Sequence, residues 1–234
     1  MRSSEDFLEQ RIEKIREQWQ NISWIKRVIL FASLTLILYE TVDLGSSIEV
    51  RALESFLFFI LLPFLFLKLN GKSLDFSIDR TTLIYTGALC TGILPFYLLA
   101  GSVPSIRTFY PIGISSTAPS VFIIYQLKQF FLALGTEIFY RGVLCVWIRD
   151  IGPKSIFVSP LVYAYQHLGK PSLEVVASAP ADVVFGYFDY RSESIIPSVT
   201  AHWFGMIITD WACLHDPLFP AAGMIIQNFF ASLL

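Results

Sequence analysis

Charge is what this chain has least of: 15% of its 234 residues are Asp, Glu, Lys or Arg, against 54% hydrophobic ones. Soluble domains carry about 25% charged residues, so that class is excluded, and a mean hydropathy of +0.59 points to an integral membrane protein. An excess of basic residues is also missing. The formal net charge is −2 and the isoelectric point about 5.9, which leaves no electrostatic footprint for nucleic acid. Cysteine is scarce, and Cys90, Cys145 and Cys213 each stand alone in an apolar stretch. They form neither a CxxC pair nor an even-numbered framework, so they read as small buried hydrophobes. There is no internal repeat, no low-complexity tract and no composition break that demands a second soluble domain.

What the chain does have is apolar runs, enriched in its 21 Phe. They cover about 24–44, 52–69, 82–100, 119–148, 154–169, 173–190, 194–213 and 217–234. A membrane-spanning helix takes about 20 residues, so an all-α, polytopic transmembrane bundle of about eight helices is expected, with the short 154–169 run partly re-entrant. Glu40, Asp43 and Glu54 mark charged ends of the first two runs, and Pro63 kinks the second. With a cytoplasmic N-terminus, Lys and Arg fall on the inner side except for Arg51, Arg107, Lys170 and the intraspan Lys128 and Arg141. That asymmetry supports a multi-pass topology in this orientation.

Residues 1–23 are different: charged, with Leu8, Ile12, Ile15, Trp19 and Ile22 on one helical face. No small-residue cleavage site follows, so this is not a signal peptide. An amphipathic helix on the cytoplasmic membrane surface fits best, with a short coiled-coil contact as the alternative. The expected division is this helix followed by a membrane-embedded helical domain over 24–234. Between spans, Asn70-Gly71-Lys72-Ser73 is turn chemistry, and the Pro- and Gly-bearing stretch 101–120 is a long outer connector or a lid.

Four ionisable residues interrupt the apolar second half: Glu137, Arg141, His167 and His202. Such groups in hydrocarbon cost about 2.5 kcal/mol or more each and persist when they pair, face a bundle interior or do chemistry. Glu137 and Arg141, four apart, share a helical face; alone they describe equally a buried ion pair that locks a helix. A lone intramembrane histidine is often only an interhelical hydrogen-bonding group. A carboxylate with two imidazoles is more specific. It is the ligand set of a catalytic divalent metal such as zinc, held by Glu137, His167 and His202 if one is bound, and equally the set for a metal-free general base with oxyanion donors. Asp182 and Glu174, near Pro180, read as polar-cavity contacts or as the lining of a substrate groove. Lys128 is expected to snorkel or pair within the bundle, and Trp203 and Trp211 to pack rather than bind a cofactor.

On these residues the chain resembles the CAAX prenyl protease and bacteriocin-processing (CPBP, or ABI) intramembrane proteases. Their signature runs E-E-x-x-x-R, then F-x-x-x-H, then H-x-x-x-N or D. This chain reads Thr136-Glu137-x-x-x-Arg141, Tyr163-x-x-x-His167 and His202-x-x-x-Met206, with Gly186-Tyr187 to Pro197 similar to the run before the last histidine. The likeness covers about 119–213. It implies an endopeptidase in which a Glu/His-activated water hydrolyses a membrane-proximal, prenylated or bacteriocin-type peptide, with Glu137, Arg141, His167 and His202 as the catalytic set. Partners would be the lipid bilayer and a membrane-associated peptide or protein substrate. Two positions depart from the pattern. The first glutamate, the family's principal base, is Thr136, and the Asn or Asp is Met206; a threonine cannot take a proton near neutral pH and a thioether cannot donate to an oxyanion. Neither Asp210 nor Asn228 obviously replaces Met206. A catalytically degenerate relative, acting as a membrane scaffold or immunity-type binding protein, is therefore the alternative. A transporter would show inverted repeats and broken helices, and no such repeat is visible.

Overall fold

The computed structural model describes residues 2–42, 44–73 and 76–232. Asp43 and the last two residues of the eighth apolar run lie outside the described residues. Among those described there is no strand. The chain runs through α1 (Arg2–Gln20), α2 (Trp24–Thr41), α3 (Ile48–Leu69), α4 (Arg80–Ala100), α5 (Pro104–Phe109) and α6 (Pro119–Val143). A 3-10 stretch, Val146–Phe157, follows, then α7 (Pro160–Tyr165), α8 (Ser172–Ser192), α9 (Ile196–Leu214) and α10 (Pro220–Ala231).

Three of these, α3, α4 and α6, are long and apolar enough to cross a membrane, or four spans if the bent pair α1–α2 counts as one. The protein is thus an all-helical membrane protein, but the expected eight spans reduce to three or four by this measure. The reasons are local. In the 154–169 run, Gly152 at φ 72° and Pro153 break regular helix, and α7 has only six residues. Helix α10 has 12 residues, about 18 Å at 1.5 Å per residue, against a hydrocarbon core of about 30 Å. Helices α8 and α9 have the length, but α8 carries Glu174, Asp182 and Asp189 along it.

Local chemistry fixes the ends. Asp79 caps α4 by accepting from the Thr82 amide at 2.7 Å, a contact that holds its carboxyl below the usual carboxylate range. Proline at the first turn opens α5, α6, α7, α9 and α10, where its missing N–H costs nothing. The turn at Asn70 does more than reverse the chain. Its Oδ1 accepts from Trp19 Nε1 at 3.1 Å and from Arg27 at 2.6 Å, pinning the α1–α2 elbow, which bends by 108°. Beyond the pin, Leu8, Ile12 and Ile15 stay exposed along α1.

One apolar cluster joins α2, α3 and α6 through Val28, Ala32, Phe59, Phe66, Phe139 and Val143. Aromatic stacking tightens it, with Phe31 and Phe66 centroids 4.2 Å apart and Phe59 and Phe139 4.7 Å apart. Elsewhere helices approach so closely that only glycine fits. Gly205 of α9 lies against the Tyr97 ring of α4, and Gly135 of α6 against Ser55 of α3. Those two contacts set α4 against α9 and α3 against α6, and the polar centre lies where α6, α8 and α9 meet.

Candidate active site

Glu137 ends the regular part of α6; the next turn, Ile138–Val143, widens to π geometry, with the Leu144 amide reaching Phe139 O at 3.2 Å. Such bulges cost helix regularity and recur at functional sites because they re-aim side chains. Here both Glu137 and Arg141 are withdrawn from solvent almost completely. Arg141 Nε lies 3.0 Å from Glu137 Oε2, and Arg141 Nη2 lies 2.9 Å from Asp182 Oδ1 on α8. The Tyr163 ring of α7 covers the guanidinium at 4.2 Å, with Phe185 at 5.4 Å. Ser159 donates to the other oxygen of Asp182. A buried cation between two carboxylates is tolerated because each charge has an opposite one in contact.

The second oxygen of Glu137 looks the other way. Oε1 is 2.5 Å from His202 Nδ1 of α9, although 65 residues separate the two in sequence. The carboxylate accepts from Nδ1, which fixes the ring and leaves Nε2 as the nitrogen free for chemistry. His202 keeps 19% of its side chain exposed, while Glu137 keeps none. Four residues before His202, the start of α9 is anchored by buried Asp189, whose Oδ1 accepts from the Ser198 amide at 3.1 Å and whose Oδ2 accepts from the Ser198 hydroxyl.

His167 sits apart from this contact. Its Nδ1 is 2.8 Å from the Tyr163 carbonyl, and its Nε2 faces Glu174 Oε1 at 3.5 Å. Lys170 Nζ donates to the same oxygen at 2.7 Å, and the Tyr110 hydroxyl lies 2.9 Å from both oxygens of Glu174. Burial raises the Tyr110 phenol above its ordinary value. Tyr163 links the two groups, with its ring over Arg141 and its carbonyl on His167. Tyr97 of α4, half-buried, lies near Glu137, Arg141 and Glu174 at once.

Of the sequence candidates Glu137, Arg141, His167 and His202, the fold joins Glu137 directly to Arg141 and to His202 and reaches His167 through Tyr163. Asp182, which the sequence marks only as a cavity or groove residue, is Arg141's second counter-ion. Asp189, which anchors α9, is not among the sequence candidates; its only signal is an acid inside the apolar 173–190 run. Thr136 and Met206 are half-buried on α6 and α9. Lys128 pairs with Glu49 at 2.5 Å, and Trp203 Nε1 donates to Gln126 O at 2.9 Å. The three cysteines are free.

Glu137, His167 and His202, the set that would hold a metal if one were bound, are not assembled as ligands. Among the described residues no group of three His, Cys, Asp or Glu could hold a metal ion. Both Glu137 oxygens are engaged by Arg141 and His202, and both His167 nitrogens face other partners. The residues as arranged do not fit a catalytic zinc.

No curated protein and no solved structure matches the chain. A family model does, described as Type II CAAX prenyl endopeptidase Rce1-like, over residues 118–208, the stretch that contains α6 to His202. Over those residues the chain is similar to type II CAAX prenyl endopeptidases of the Rce1-like kind.

Proposed function

We propose that this protein is a multi-pass intramembrane endopeptidase of the CAAX-protease type, acting on a membrane-proximal or prenylated peptide. The observation that carries the reading is the 2.5 Å contact between Glu137 Oε1 and His202 Nδ1, two motif residues brought together from α6 and α9. In this reading the polar centre works as an acid–base site. A water attacks the scissile carbonyl, an imidazole takes its proton, and the oxyanion is steadied by the other imidazole. Arg141 and Asp182 hold Glu137 in place, and Glu137 holds His202. The membrane-embedded part spans 24–234, with the catalytic core at 119–213. Helix α1, turned 108° from α2 with Leu8, Ile12 and Ile15 exposed on one face, lies along the cytoplasmic bilayer surface.

One observation favours a second reading, a degenerate relative that binds a membrane partner without cutting it. Glu137 is fully buried with both oxygens engaged, and Thr136 and Met206 supply neither a second carboxylate nor an oxyanion donor. Turnover of a fluorogenic farnesylated peptide by the purified protein in proteoliposomes separates the two. Cleavage that His202→Ala abolishes supports the peptidase; no cleavage by the wild type, with retained binding of the peptide, supports the degenerate relative.

A further inference from the structure

None of the Glu137 side chain is exposed; its Oε1 meets His202 and its Oε2 lies 3.0 Å from Arg141 Nε, so the carboxylate is not open to water. Its neighbour Thr136 offers a hydroxyl, which accepts no proton near neutral pH. Peptide hydrolysis needs a proton acceptor within hydrogen-bond reach of the attacking water. The other motif histidine has the right arrangement. The Tyr163 carbonyl can only accept, so the His167 Nδ1 that faces it at 2.8 Å carries the hydrogen, and Nε2 of the neutral ring keeps its lone pair.

That lone pair faces Glu174 Oε1 at 3.5 Å. Two acceptors cannot bond each other, but one water can donate to both. The carboxylate is held in place from two directions: by Lys170 Nζ at 2.7 Å and by the Tyr110 hydroxyl of the 101–118 connector at 2.9 Å. Unlike Glu137, Glu174 keeps 22% of its side chain exposed, so water can reach it.

We propose that Glu174 pairs with His167 to activate the hydrolytic water, an inference that rests on the peptidase reading above. Nε2 of His167 takes a proton from the water as the water oxygen bonds to the scissile carbonyl carbon, and the carbonyl electron pair becomes the oxyanion. Collapse re-forms the carbonyl and breaks the C–N bond, and the proton on Nε2 passes to the departing nitrogen. The products are a carboxylic acid and an amine, with no change of oxidation state. Glu174 accepts the second hydrogen bond of that water and holds the imidazolium while it exists. Because it also accepts from the attacking water, it is a catalytic residue, supplied by α8 outside the three sequence motifs.

The test uses the full chain in proteoliposomes with a fluorogenic farnesylated peptide, comparing wild type, Glu174→Gln, Glu174→Asp and His202→Ala. Gln keeps acceptors for Tyr110 and Lys170 and removes only the charge. The expected result for Glu174→Gln is a fall in kcat of about 100-fold with KM within about two-fold, and recovery by Glu174→Asp to within about ten-fold of wild type. Retained kcat in Glu174→Gln, while His202→Ala is inactive, overturns the pairing and leaves the peptidase reading standing. A loss confined to KM, or one that Asp does not restore, also overturns it. A wild type that cleaves nothing defeats the peptidase reading and this inference with it.

Discussion

Arg141 reaches from α6 to α8, its Nη2 2.9 Å from Asp182 Oδ1, while its Nε stays 3.0 Å from Glu137 on its own helix. One buried guanidinium therefore fastens the helix bearing the motif glutamate to the helix bearing Asp182. Removing either carboxylate leaves a charge partly uncompensated in a medium that penalises it. Asp182→Ala is expected to lower unfolding free energy by about 3–5 kcal/mol, as is Arg141→Ala. Denaturant unfolding in detergent micelles measures it; wild-type stability in either variant would mean that the three charges are solvated.

The α4–α9 contact gives a steric prediction. A methyl group on Gly205 would run into the Tyr97 ring. Gly205→Ala is expected to destabilise the protein by about 1–3 kcal/mol through overpacking. Thermal melting of Gly205→Ala against the same change in a Tyr97→Ala background checks the cause: the penalty should shrink when the ring is gone. An equal penalty in both backgrounds would assign it to something other than the ring.

Much of this site was legible in the sequence, and what was missed follows from how the chain folds. Glu137 and Arg141 share a face because they are four residues apart, and the spacing alone gives that. The meeting of Glu137 with His202 is suggested by residue type and motif order, since no local rule brings α6 to α9. Asp182 could not be paired with Arg141 from the sequence, because the pairing depends on how α8 packs against the π-widened turn. The expected eight spans exceed the three or four helices long and apolar enough to cross a membrane for a related reason. Hydropathy averages over the Gly152–Pro153 break and over the 12 residues of α10, and neither produces a membrane-length helix. The turn at Asn70-Gly71 was readable; its second role, holding Trp19 and Arg27, was not.

That second role is testable. Asn70→Ala removes the acceptor shared by Trp19 Nε1 and Arg27 and should loosen the elbow between α1 and α2. Faster limited proteolysis within residues 20–24, with peptidase turnover unchanged within about two-fold, is the expected outcome, because exposed backbone freed of its tertiary contacts is cut first. Unchanged cleavage at the elbow would show that the bend is set by Ile22 and Ser23 rather than by the pin.

The two departures from the family motif predict a gain. Thr136→Glu with Met206→Asn places a second carboxylate beside Glu137 and an amide donor one turn from His202, both at half-buried positions. Turnover of the farnesylated peptide should rise about ten-fold or more, a fraction of the usual general-base contribution, and the gain should vanish with His167→Ala. No gain in a variant that folds normally would mean that Thr136 and Met206 do not limit the reaction.

The Glu137–His202 contact bears most of the functional reading, and one comparison addresses it directly. Wild type and His202→Ala, reconstituted in the same liposomes at equal folded yield, are assayed against the farnesylated peptide with mass spectrometry of the products. The expected result is a single internal cleavage by the wild type and at least a 100-fold loss in His202→Ala, the size of an acid–base contribution. Equal cleavage by both proteins would contradict it.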